Sequence, residues 1–148
     1  MKVKDESRKE LDDVTYQRIK SYCEDGDKLA ESGSYDAAIM KYNEAFQLVP
    51  QPREEWNAST WILIAIGDAA FLAGYNEFAR EVFQDVMYCP GAIGNPFVHL
   101  RLGQVLFDAG ELDKAADELM RAYIGGEYDV FSEEDPKYFE FLKTRAVI

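Results

Sequence analysis

The segment Gly103-Gln104-Val105-Leu106-Phe107-Asp108-Ala109-Gly110-Glu111-Leu112-Asp113-Lys114-Ala115-Ala116-Asp117-Glu118-Leu119-Met120-Arg121-Ala122 carries a skeleton of small and large residues at Gly103, Leu106, Gly110, Ala115, Leu119 and Ala122. The same skeleton, with identical internal steps, stands at Gly26, Leu29, Gly33, Ala38, Tyr42, Ala45 and at Gly67, Ala70, Gly74, Ala79, Phe83, Val86. The first two copies end at Pro50 and Pro90, and the third at Gly125-Gly126. Three agreeing copies make an internal repeat, which governs the reading of the whole chain.

Steps of three and four place these residues on one face of a helix. Gly33, Gly74 and Gly110 fall where a helix has to stop, and a glycine takes the left-handed conformation there without a Cβ penalty. Asp36 and Asp113 follow three residues later, in place to N-cap a second helix, with Glu77 at the matching position of the middle copy. Gly26, Gly67 and Gly103, with Ala38, Ala79 and Ala115, are small enough to let two antiparallel helices approach closely. Each copy therefore predicts a helix–turn–helix hairpin.

These residues resemble the tetratricopeptide repeat (TPR) family. The matches are Leu102-Gly103 and Ile66-Gly67, Gly110-Glu111-Leu112-Asp113-Lys114-Ala115, and Gly33-Ser34-Tyr35-Asp36-Ala37-Ala38. The resemblance covers about residues 19–126 and implies an all-α fold: three TPR-like hairpins (about 19–50, 60–90 and 96–126) in a right-handed α-solenoid. The period departs from the family's 34 residues, with 41 from Gly33 to Gly74 and 36 from Gly74 to Gly110. The excess falls in Pro50–Ser59 and Gly91–Pro96, both rich in Pro or Gly and read as loops, although Glu54-Glu55-Trp56 could instead prolong the next helix. His99 occupies the place of the large first-helix packing residue.

The whole chain, 1–148, is expected to form one domain, since 148 residues suffice to bury a core without a metal or disulfide. Residues 1–13 form a charged N-terminal extension. Glu127–Asp135 reads as an acidic loop, and residues 135–146 as a capping helix with Asp135 as N-cap and Pro136 in the first turn. Tyr138, Phe139 and Leu142 would cover the open flank of the third hairpin, as a repeat stack requires.

Composition narrows function. Sixteen basic against 28 acidic residues give a formal charge of −12, which repels phosphate backbones and anionic lipid and argues against nucleic-acid and membrane partners. Cys23 and Cys89 lie far apart with no CxxC spacing, so neither a zinc site nor a disulfide framework is expected. The charged N-terminus shows no signal peptide, and Trp61–Ala73, the longest apolar stretch, is interrupted and too short to span a bilayer, so a cytoplasmic protein is expected. No GxGxxG, P-loop or HExxH occurs, and a single histidine leaves little for nucleophilic catalysis. The chain is thus expected to be neither an enzyme nor a holder of metal or cofactor.

A stack of hairpins offers a groove lined mainly by the first helix of each. The groove-facing phases are Cys23, Asp27, Ala30 and Glu31, then Trp61, Ile64, Asp68, Phe71 and Leu72, then Phe97, Leu100, Arg101, Gln104, Phe107 and Asp108. Asp27, Glu31, Trp61, Asp68, Phe71, Phe97, Arg101, Gln104, Phe107 and Asp108 are the candidate partner-binding residues. Large aromatics flanked by acids suit a basic, partly apolar protein partner; the alternative is that the C-terminal helix, or a second copy of the chain, fills the groove. TPR domains that hold chaperone C-terminal carboxylates use Lys and Asn where this chain has Cys23 and Asp27, so that activity is disfavoured. Short acidic TPR proteins are similar to immunity proteins that neutralise bacterial polymorphic toxins. This resemblance implies a cognate toxin domain as partner; an adaptor or secretion chaperone that binds a peptide of another protein is the alternative. The oligomeric state stays open.

Overall fold

The computed structural model describes residues 11–148; most of the charged N-terminal extension, residues 1–10, lies outside them. Among the described residues seven α-helices carry the fold: α1 (Asp13–Glu31), α2 (Tyr35–Gln47), α3 (Asn57–Leu72), α4 (Asn76–Val86), α5 (Pro96–Asp108), α6 (Leu112–Gly126) and α7 (Pro136–Lys143). No strand occurs among the described residues. The chain divides into two compact units, one ending at Ala92 and the other running from Ile93 to Ile148. The first unit holds the hairpins α1/α2 and α3/α4, and the second holds α5/α6 with α7.

The skeleton residues act as their chemistry requires. Gly33, Gly74 and Gly110 have φ of +80°, +84° and +81°. In each case the next amide N–H (Ser34, Tyr75, Glu111) donates to the carbonyl of Leu29, Ala70 or Leu106, at 2.8, 2.9 and 3.0 Å. Both ends of these bonds lie at or beside skeleton positions, so one turn closes all three hairpins in the same way. Ala38, Ala79 and Ala115 are fully buried. A Cβ on Gly26, Gly67 or Gly103 would lie 2.6–2.7 Å from Tyr42, Phe83 or Leu119, so the helices of each hairpin meet through the space that a side chain would fill.

Four expectations need correction. Asp36 and Asp113 are not N-caps: each is the second residue of its helix, in the first turn, where a carboxylate still complements the helix dipole. Their side chains bond elsewhere, Asp36 accepting from the Tyr75 hydroxyl at 2.7 Å and Asp113 from Arg145 at 2.8 Å. Glu54 and Glu55 belong to a short 3-10 turn, Arg53–Glu55, and α3 begins only at Asn57. The acidic loop is in part a second 3-10 turn, Glu127–Phe131, because burial of Phe131 draws the segment inward. The capping helix is shorter than expected, ending at Lys143, but Asp135 caps it by accepting from Lys137 N–H at 3.0 Å.

His99 packs in unit two with 4% exposure. One ring nitrogen (Nδ1) lies 2.6 Å from Glu118 and the other (Nε2) accepts from Gly94 N–H at 2.9 Å, which fixes the ring as a structural bridge between helix and loop.

Candidate functional site

In the first unit, α1 presents Tyr16, Lys20, Cys23, Glu24 and Asp27 at steps of three and four, so all five share one helical face. With Tyr42 from α2 and Trp61 and Ala65 from α3, they line a cavity of about 480 Å³. Of the predicted groove residues, Cys23, Asp27 and Trp61 come together here. Trp61 is 40% exposed, a large apolar surface kept in contact with water.

Asp27 is placed by the repeat skeleton. The missing side chain at Gly26 lets the Tyr42 ring lie against α1, and the Tyr42 hydroxyl then reaches the next residue, donating to Asp27 Oδ1 at 2.6 Å. Burial, and then the bond to Asp27, raises the Tyr42 phenol above its ordinary range. The bond uses one acceptor position, and a carboxylate has several. Burial, with a smaller push from Asp27, drives the Cys23 thiol up to about 12. That thiol stays protonated near neutrality, so it supplies packing surface and not a nucleophile. The cavity thus offers an aromatic face, two carboxylates (Glu24, Asp27) and one ammonium (Lys20): equipment for binding.

The other predicted residues of this unit lie on the same helices outside that lining. Glu31 is exposed at the end of α1, and on α3 Asp68 and Phe71 are half-buried while Leu72 is exposed. Tyr16, Lys20, Glu24, Tyr42 and Ala65 line the cavity without being among the predicted groove residues, Tyr42 having entered only as a packing position of the repeat. The stripe Tyr16, Lys20, Cys23, Asp27 could have shown four of the lining positions on α1, had the first helix been started at Asp13.

In the second unit the predicted residues are engaged within the chain. Arg101 and Gln104 are 6% and 0% exposed. Arg101 donates to Gln104 Oε1 at 2.7 Å and pairs with Glu134, and Gln104 Nε2 donates to the same Glu134 oxygen at 2.8 Å. The Arg101 guanidinium also stacks over Phe97, 4.8 Å from its ring centre. Phe107 packs on Tyr138 and Phe141 with ring centres 5.4 and 5.0 Å apart, and Asp108 accepts from the Tyr138 hydroxyl at 3.0 Å. The C-terminal segment therefore covers the face of α5 that the sequence reading gave to a partner. The reason is physical: Phe107 demands burial, and Tyr138 and Phe141 of α7 supply it within the same chain.

No helix among the described residues is long and apolar enough to cross a membrane. No family model and no curated protein matches the chain. Among solved structures, the chain is similar in fold to the Yersinia enterocolitica type III secretion chaperone SycD, determined in complex with a peptide of the translocator YopD. The likeness has a TM-score of 0.70 at 15% sequence identity and covers 90% of this chain and 95% of that one, so what the two share is a TPR-like arrangement of helices.

Proposed function

We propose that the protein binds without catalysis a peptide segment of another protein, as a secretion chaperone or adaptor does, and that the first-unit cavity receives an apolar side chain beside a basic one. The observation that carries this reading is Trp61, 40% exposed in a cavity it shares with Asp27 and Glu24. A half-exposed tryptophan beside carboxylates is the kind of anchor on which binding energy concentrates. Support comes also from SycD, whose similar fold is known with a peptide bound, and from the charge of −12, which favours a basic segment.

Neutralisation of a toxin asks the same cavity to hold part of a folded basic domain. That second reading draws on the chain's size, its charge, its TPR-like hairpins and its C-terminal tail, and the comparisons bring it no support.

Peptide display on the full chain tests the proposal. Enriched peptides should share an apolar residue next to Lys or Arg, and Trp61→Ala should weaken them by about 2 kcal/mol or more. Enriched peptides that bind Trp61→Ala and Asp27→Asn as tightly as the unaltered protein would refute it.

A further inference from the structure

A second cavity, of about 460 Å³, lies elsewhere in the first unit. Phe46 of α2, Leu63 of α3 and Cys89 give it apolar walls, and Tyr88, 81% exposed, stands at its side. The rim comes from the longest departure from the repeat period: Arg53, Glu54 and Ser59 lie in or at the end of the Pro50–Ser59 insertion.

The charges at this rim are unequal in their freedom. The Arg53 guanidinium is committed inward: Nε donates to the carbonyls of Phe46 and Val49, both at 3.1 Å, and the group stacks over Phe46. Ser59 donates to the Arg53 carbonyl at 2.6 Å, which holds the insertion in place. The Glu54 and Asp85 side chains also line the cavity, and neither carboxylate makes a hydrogen bond or ion pair among the described residues. Both carboxylates reach the cavity electrostatically, since after burial they are the next causes that push the Cys89 thiol up to about 11.

From this geometry we infer that the second cavity is a receptor for an arginine side chain of a partner polypeptide, its stem along Leu63 and Cys89, its guanidinium on the Tyr88 ring and between Glu54 and Asp85. Arginine fits better than lysine because a guanidinium is flat, weakly hydrated and stacks on aromatic rings. The chain stacks its own guanidinium groups on rings, Arg53 over Phe46 and Arg145 over Phe141, and sets Lys41 over Tyr22 as well, so the preference for arginine rests on its flat shape and weak hydration. The site is separate from the Trp61 cavity, and its occupant can be tested without knowledge of the first.

The experiment titrates the isotopically labelled full chain with the tripeptide acetyl-Ala-Arg-Ala-amide and follows backbone amide shifts by NMR. Saturable shifts are expected at Glu54, Leu63, Asp85, Tyr88 and Cys89 below about 20 mM probe. Replacing arginine by its neutral analogue citrulline should weaken binding by about fivefold or more, and lysine should bind more weakly than arginine. The double variant Glu54→Gln with Asp85→Asn should lose arginine affinity to a similar degree while the amides around Trp61 keep their positions. Shifts that fail to saturate, that are equal for citrulline or lysine, or that centre on Trp61 overturn the inference. So does a folded double variant that binds arginine unchanged. The citrulline arm uses the unaltered protein and decides the matter even where the variant does not fold.

Discussion

Arg101→Met should destabilise the second unit by about 3 kcal/mol. The guanidinium is almost fully buried and is held by Glu134 and Gln104. Removing one partner of a buried pair costs roughly 3–5 kcal/mol because it strands the other charge. Here the Glu134 side chain is 19% exposed, so water reaches the stranded carboxylate and the lower end applies. A change of both residues, Arg101→Met with Glu134→Met, removes the charges yet leaves Gln104, which has no exposure, with neither of its partners. A buried amide in that state costs about 1–3 kcal/mol, so the double variant should stay well below the unaltered protein. Adding Gln104→Leu should recover all but about 1 kcal/mol, since buried polar clusters are often replaceable by apolar groups as a set. Urea unfolding, with hydrogen exchange at Tyr138–Leu142 to report on the second unit, measures all four proteins. A double variant as stable as the unaltered chain, or a single change costing under about 1 kcal/mol, would refute the three-member cluster as the clamp on the C-terminal segment.

Gly67→Ala should lower stability by about 1–3 kcal/mol in urea, since its Cβ would sit 2.7 Å from the fully buried Phe83 ring and the gain in helix propensity offsets only part of that. Trp61→Ala should change the melting temperature little, because the half-exposed ring contributes surface more than core. Alkaline titration should show Tyr42 and Tyr138 as late phenols among the nine, visible in phenolate absorbance. Burial raises both above the ordinary value of 10.0, so the folded state holds those protons longer. Stability from these groups is full below pH 10 and falls as pH rises beyond it; Asp12, lowered by its bond to Thr15 N–H, contributes in the opposite sense, losing its share only as pH falls below 3.8.

The hairpins were legible because the repeat imposes steric demands that few residues meet. Gly26 facing Tyr42 and Gly67 facing Phe83 can be read from spacing alone. The ends of the helices were harder to see. Asp36 looks like a cap, but the turn closes through backbone bonds to Leu29 and the carboxylate turns to Tyr75, 39 residues on, a contact no local pattern encodes. The candidate site divided in the same way. Cys23, Asp27 and Trp61 follow from helix phase, and they meet in one cavity. Arg101, Gln104 and Phe107 have a similar phase, yet their surroundings depend on where the C-terminal segment lies. That depends on Phe131, Tyr138 and Leu142 finding a buried face, which is a tertiary outcome.

The central claim is that the Trp61 cavity holds a peptide of another protein. Its most direct measurement is photo-crosslinking in the native cell, with a benzophenone amino acid placed at Trp61 and, as a control, at the exposed Ile124 of the second unit. The account predicts an adduct at position 61 that is absent at 124. Mass spectrometry should map it to a short basic, apolar segment of one protein, and Asp27→Asn should diminish it. Equal labelling at both positions, or an adduct at 61 that is indifferent to Asp27, would contradict it.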